Sequence, residues 1–94
     1  MIDLPPDLIP YRKTAVFTAT SVPAGLLRDH KTRAGVWGVL HVVAGEVTFR
    51  TVVGTGTRLL TPGMTQVIEP EALHSVSLSP DARFYVEFWR QGPH

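Results

Sequence analysis

Apolar and polar residues alternate with a period of two along much of the chain. The alternation is clearest in Arg83–Arg90, where Phe84, Val86 and Phe88 alternate with Tyr85, Glu87 and Trp89. Because a strand turns successive side chains to opposite faces, this pattern predicts a β-strand with one buried face. No segment has the spacing of an amphipathic helix of normal length. The pattern therefore predicts an all-β protein.

Short runs of β-branched and aromatic residues, separated by glycine, proline and serine turns, mark the individual strands. The predicted strands are Thr14–Thr20, Leu26–His30, Val36–Val43, Glu46–Val53, Arg58–Thr61, Thr65–Glu69, His74–Ser79 and Arg83–Arg90. Many short strands with frequent turns indicate a sandwich or a small barrel.

The two-residue link Ala44-Gly45 predicts a tight hairpin between the strands on either side of it. In that register His41 lies opposite Thr48 on a polar face, where it is solvated or at an interface. The other face is the predicted core, formed by Leu40, Val42, Val47 and Phe49.

A length of 94 residues allows one domain with one core, spanning residues 1–94. Residues 1–13 contain three prolines and are predicted to form an extended arm that packs on the barrel or on a neighbouring subunit. The apolar residues of this arm and of the last strand exceed what one small barrel can bury. We therefore expect a homodimer.

Charge and composition exclude several classes of partner. The net charge is +1 with both signs mixed, so neither nucleic acid nor a membrane is an expected partner. The absence of cysteine excludes thiolate ligands and fits a reducing compartment. The N-terminus lacks a signal-peptide pattern, and the longest apolar stretch is too short to span a bilayer. The expected location is the cytoplasm.

Three residues are candidate metal ligands. His74 begins an alternating strand and points into the barrel, where it either binds a metal or is hydrogen-bonded to a backbone carbonyl. His30 ends a predicted strand and is either a second ligand or a surface histidine in a charged loop. Glu69 is a third ligand, an acid or base, or a solvated turn residue.

The sequence does not identify the metal element or a catalytic residue. Nitrogen and oxygen ligands without sulfur suit Zn, Fe, Mn and Ni equally well, so a divalent metal is expected without a preferred element. The chain has no phosphate-binding loop, nucleophile elbow or His-Glu-x-x-His motif, so no catalytic residue is assigned and enzymatic activity stays open. The candidate ligand-binding residues of the pocket wall are Arg28, Trp37, Tyr85 and Glu87.

Four segments in order resemble the cupin-like domain of the tellurite-resistance protein B family. These segments are Leu26–Gly38, Val42–Phe49, Val67–Val76 and Val86–Phe88. The resemblance implies a cytoplasmic bacterial protein with a double-stranded β-helix (jelly-roll) fold, and His30 and His74 match the family's two motif histidines. Some members carry this domain fused to an S-adenosylmethionine-dependent methyltransferase that acts on tellurite. That catalytic domain is expected to be absent here, so tellurite methylation is not carried over.

The general cupin pattern is only partly matched. Its first motif keeps His30, whereas Arg33 or Ala34 and Gly38 stand where other ligands would be. The leading hypothesis is a small stand-alone cupin-like protein that binds a metal ion or small ligand in the barrel, in a stress response to tellurite or another oxyanion. The alternatives are a metal-dependent enzyme acting on a small molecule and a metal-free structural or association module.

Overall fold

The structure, a computed structural model, describes residues 4–27, 31–51 and 56–92. Most of these residues lie in strands, as the alternation predicts, and Ala24–Leu27 forms one turn of 3₁₀ helix. Within the described ranges no helix is long and apolar enough to cross a membrane. The strands are β1 (Leu8–Lys13), β2 (Phe17–Thr18), β3 (Trp37–Ala44), β4 (Val47–Thr51), β5 (Thr57–Leu60), β6 (Thr65–Ile68), β7 (His74–Leu78) and β8 (Arg83–Gln91).

The strands form two antiparallel sheets. The larger sheet has the order β1-β8-β3-β6, with β2 also paired to β8, and the smaller sheet has the order β5-β4-β7. Strands far apart in sequence therefore lie side by side. The two sheets stay separate over the part of the chain that the structure describes, so the expected closed barrel is not observed. The architecture is a two-layer arrangement of antiparallel sheets.

The chain crosses from the larger sheet to the smaller one at Gly45. Strand β3 pairs with β6 and β8, whereas β4 pairs with β5 and β7, so the predicted hairpin across this link is wrong. Gly45 has a φ of +66°, and a Cβ atom there would lie 2.6 Å from the Cα of Ala82. Only glycine allows this backbone conformation together with so close an approach. The link directs the chain to the opposite sheet instead of back along β3.

The core lies between the two sheets. Alternate residues of facing strands supply it, as the period of a strand requires. Its buried members are Leu40, Val42, Val47, Phe49, Leu60, Ile68, Val76, Ala82, Phe84 and Val86. The four core residues predicted around Gly45 are all among them. The face assignment is thus confirmed although the strand pairing is wrong, because the side-chain period does not depend on which strand lies alongside.

The N-terminal segment forms the edge of the larger sheet. Strand β1 pairs with β8 from Leu8 opposite Gln91 to Lys13 opposite Glu87, with an irregularity between Pro10 and Arg12. Strand β1 is extended, and proline is tolerated there because an edge strand pairs on one side only.

Two strands predicted near the N-terminus are not observed as expected. The segment Thr14–Thr20 contains only the two-residue strand β2. The 3₁₀ helix Ala24–Leu27 occupies the start of the expected strand Leu26–His30, whose last three residues lie outside the described ranges. Small residues and a preceding proline favour a turn at this point over a strand.

Candidate functional site

The structure separates the predicted site residues into two groups. His74 lies between the sheets, whereas Trp37, Tyr85 and Glu87 lie on the opposite face of the larger sheet. The candidate residues Arg28 and His30 lie outside the described residues.

His74 is buried at the start of β7, with 3% of its surface exposed. Its Nδ1 lies 3.0 Å from the carbonyl oxygen of Ala72. A carbonyl oxygen can only accept a hydrogen bond, so Nδ1 is the protonated nitrogen in this contact. The imidazole also stacks on Phe49, with ring centroids 5.5 Å apart and planes inclined by 21°. These contacts fix the ring from two sides and match the hydrogen-bonded alternative for this histidine.

A cavity of about 260 Å³, called here the inner cavity, opens beside His74 between the sheets. Most of its lining is apolar, and its polar side chains are Thr14, Thr32 and His74. The hydroxyl of Thr14 accepts a hydrogen bond from the Val86 amide at 3.0 Å. The hydroxyl of Thr32 donates to the carbonyl oxygen of Val36 at 2.9 Å. The polar groups of this cavity are therefore engaged with the protein itself.

Glu69 approaches His74 only at a smaller cavity of about 50 Å³, which both residues help to line. Its side chain is exposed, and its backbone carbonyl accepts a hydrogen bond from the Thr32 hydroxyl at 3.3 Å. Among the residues that the structure describes, no group of three or more histidines, cysteines or carboxylates can hold a metal ion.

The second group forms the outer face of the larger sheet. This outer face comprises Trp37, Val39, His41, Tyr85, Glu87 and Trp89. The imidazole of His41 lies on it, away from the core as predicted, and its Nε2 is 2.6 Å from the Oε1 of Glu87. The same ring stacks on Tyr85 at a centroid separation of 4.6 Å. The predicted ligand-binding residues Trp37, Tyr85 and Glu87 thus do not line the inner cavity.

Sequence reasoning missed a second large cavity, of about 380 Å³, near the N-terminal edge strand. Three cationic residues, Arg12, Lys31 and Arg33, line this cationic cavity. The basic character of residues 31–33 is visible in the sequence. Their proximity to Arg12 is not, because it depends on how β1 lies along β8.

Comparisons with known proteins show the family. A family model described as the TehB-like domain matches residues 12–86. Two probable S-adenosyl-L-methionine-dependent methyltransferases TehB, from Haemophilus influenzae strains 10810 and Rd, are each 30% identical over 89 residues. These matches cover 88% of this chain but 31% of each relative, so the chain spans about a third of their length.

Two crystal structures resemble this fold closely. TehB from Haemophilus influenzae has a TM-score of 0.83 and 28% identity, covering 92% of this chain and 32% of that chain. An Escherichia coli K12 protein has a TM-score of 0.88 and 23% identity, covering 99% of this chain and all of that one. At 23% identity, the resemblance to the Escherichia coli protein shows a shared fold alone.

These findings correct two predictions. The predicted function, a stand-alone cupin that binds a metal ion or small ligand, is wrong, because the relatives are named as S-adenosylmethionine-dependent methyltransferases. The predicted divalent metal is wrong for the same reason, and the described residues offer no ligand group for it. The Glu69 side chain is exposed, while the His74 Nδ1 is directed at a backbone carbonyl.

Proposed function

The chain belongs to the TehB-like family, and we propose that it takes part in S-adenosylmethionine-dependent methyl transfer as an all-β accessory module. In this proposal it docks against the part of the methyltransferase that binds the cofactor. The observation that carries the proposal is that 88% of this chain matches only about a third of a named methyltransferase. The described cavities of this chain are also unsuited to the cofactor.

The inner cavity is poorly suited to S-adenosylmethionine. The cofactor carries a sulfonium cation, an amino-acid group, a ribose diol and an adenine, all of which need polar partners when buried. Among the described residues no carboxylate lines this cavity, and the hydroxyls of Thr14 and Thr32 are hydrogen-bonded within the protein. Leaving the cofactor's polar groups without partners would cost more than burying its apolar atoms would contribute.

The cationic cavity is unsuitable for a different reason. Three cationic side chains, Arg12, Lys31 and Arg33, line it, and no carboxylate does so within residues 4–27, 31–51 and 56–92. The sulfonium of the cofactor would be repelled there, because like charges at short range oppose binding. No step of methyl transfer is therefore assigned to either cavity.

The outer face has the chemistry of a protein interface. It combines two tryptophans and a tyrosine with one histidine–glutamate pair, and aromatic residues of this kind are enriched at interfaces. Trp37 lies directly opposite Trp89 in the strand register, so their indoles share this face. The relatives contain more than twice as much chain beyond the match as within it. That remainder is the proposed occupant of the outer face.

A segment exchange tests the proposal. In Haemophilus influenzae TehB, the matched segment is replaced by this chain, and S-adenosylhomocysteine production is measured with an acceptor that the unaltered relative methylates. We expect the hybrid to keep turnover. Adding Trp37→Ala together with Glu87→Lys should lower it about tenfold or more, because truncating a central aromatic commonly costs over 1 kcal/mol of binding.

The matched control is Glu46→Lys, which makes the same charge change at an exposed position in the link between the sheets. Equal turnover in all folded variants would refute docking through the outer face. Calorimetric titration of the isolated chain with S-adenosylmethionine should give no binding heat. Saturable binding there would refute the accessory role instead.

Two finer expectations belong to the same proposal. The pairing of β4 with β7 and of β3 with β8 supports a jelly-roll arrangement of the cupin type, in which distant strands alternate between two sheets. A cytoplasmic location is supported by the absence of cysteine from the sequence.

A further inference from the structure

The cationic cavity is formed where the edge strand β1 meets the segment that precedes β3. Its volume is about 380 Å³. Of the described residues that line it, three are cationic and none is acidic. The lining residues are Tyr11, Arg12, Lys31, Thr32, Arg33, Val36 and Phe88.

The segment on one side of this cavity is anchored by Thr32, which is 8% exposed. The carbonyl oxygen of Thr32 accepts a hydrogen bond from the Glu71 amide at 3.2 Å, and its hydroxyl donates to the carbonyl oxygen of Val36. Lys31 and Arg33 flank this buried residue directly. Their backbone positions are thereby held in place before any ligand arrives.

Two further features fix the walls of the cavity. The turn that follows is closed by a hydrogen bond of 3.1 Å from the Val36 amide to the Arg33 carbonyl oxygen, with Gly35 at a φ of +76°. Glycine is favoured at this position of the turn because the backbone there has a positive φ. On the other side, Arg12 lies opposite Phe88 in the register of β1 on β8. The cavity is therefore built by two backbone segments rather than by flexible side chains alone.

The described side chains that line this cavity carry only positive charge. Among the residues that the structure describes, no carboxylate forms an ion pair with Arg12, Lys31 or Arg33, and all three are exposed. Cations gathered in one concave site produce a positive potential that attracts anions. Phe88 and Val36 add apolar surface beside the charges. The site thus combines a cationic rim with an apolar wall.

We propose that the cationic cavity binds a small organic anion, with its phosphate or carboxylate group on Arg12, Lys31 and Arg33 and its apolar body on Phe88 and Val36. Arginine is suited to such groups because its planar guanidinium donates two parallel hydrogen bonds to them. The proposal does not depend on the role in methyl transfer. It rests only on the charges and the shape of this cavity.

The test is a titration of ¹⁵N-labelled protein with phenyl phosphate, followed by amide chemical shifts at low ionic strength. We expect saturable shifts at residues 31–36 and along β1, and a dissociation constant that rises with salt. Arg12→Gln and Arg33→Gln should each weaken binding about fivefold or more, as loss of a charge-assisted hydrogen bond does. Benzoate, which presents a carboxylate on the same ring, should bind at the same residues.

The matched control is Arg83→Gln, which removes the same charge at the first residue of β8, five residues before Phe88. It should leave the dissociation constant within about twofold, since five strand residues, roughly 17 Å, separate it from Phe88, and a single charge has little effect through water at that distance. Equal weakening by Arg83→Gln would overturn the site in favour of a general charge effect. Binding of benzyl alcohol as strong as that of phenyl phosphate would overturn the role of the cations. Absence of saturable shifts in the folded wild-type protein would overturn the site altogether.

Discussion

The Nε2 of His41 lies 2.6 Å from the Oε1 of Glu87, across the pair of strands at the centre of the larger sheet. The two residues are diagonal neighbours, because His41 is directly opposite Tyr85 and Glu87 is directly opposite Val39. The Tyr85 ring stacks on the imidazole, and the Lys13 ammonium lies 5.4 Å from the centre of the Tyr85 ring. A small polar network therefore occupies the middle of the proposed docking face.

The coupling between His41 and Glu87 should be modest. Their side chains are 26% and 28% exposed, and a pair so close to solvent contributes about 0.5–1 kcal/mol. A double-mutant cycle with His41→Ala and Glu87→Ala, followed by urea denaturation, measures this coupling. The same cycle with Glu46→Ala in place of Glu87→Ala should give no coupling. A value above about 2 kcal/mol would show that the pair is more buried than its exposure indicates.

Gly45 should tolerate substitution far less than Gly63. Both have positive φ angles, +66° and +90°, so alanine at either position costs about 1–2 kcal/mol in backbone strain. Only at Gly45 would the new Cβ also lie 2.6 Å from backbone atoms of Ala82. We expect Gly45→Ala to lose about 1–3 kcal/mol more than Gly63→Ala in the free energy of unfolding. Equal losses of stability in the two variants would mean that the backbone at Gly45 can move away from Ala82 to make room for the Cβ atom.

Around Gly45 the sequence predicted which residues are buried but not which strands pair. The period of two is a local property, so it correctly placed Leu40 and Phe49 in the core and His41 on the opposite face. The partner of each strand is not local. A short link containing glycine is typical of a hairpin, and nothing in the adjacent residues reveals that Ala82 comes close enough to direct the chain to the other sheet.

The candidate site, too, was predictable only where it depends on local alternation and not where it depends on strand pairing. The inward orientation of His74 followed from the alternation of β7 and is confirmed by its burial. The positions of Tyr85 and Glu87 on the outer face, away from the inner cavity, follow from the pairing of β8 with β3. The cationic cavity was missed because Arg12 meets Lys31 and Arg33 only through tertiary structure.

His74 should matter for stability, and a chelator should not. His74→Ala removes a stacked ring from beside Phe49 and leaves the Ala72 carbonyl without this hydrogen bond, so we expect a loss of about 2–4 kcal/mol. Dialysis against EDTA should leave the melting temperature unchanged, because the described residues contain no group that can hold a metal. A lower melting temperature after dialysis, restored by zinc, would show that the protein does hold a metal ion.

The predicted homodimer can be tested at the edge strand. Strand β1 ends the larger sheet, and Ile9 and Tyr11 on it are 40% and 42% exposed, so a second copy could cover this edge. Light scattering should give twice the monomer mass of 10.3 kDa, and Ile9→Asp should shift the mass towards the monomer. The control is Leu59→Asp, at a leucine 51% exposed on β5 of the other sheet, which should leave the mass unchanged. A monomer at both low and high concentration would refute the dimer, and loss of the dimer in both variants would refute its placement at β1.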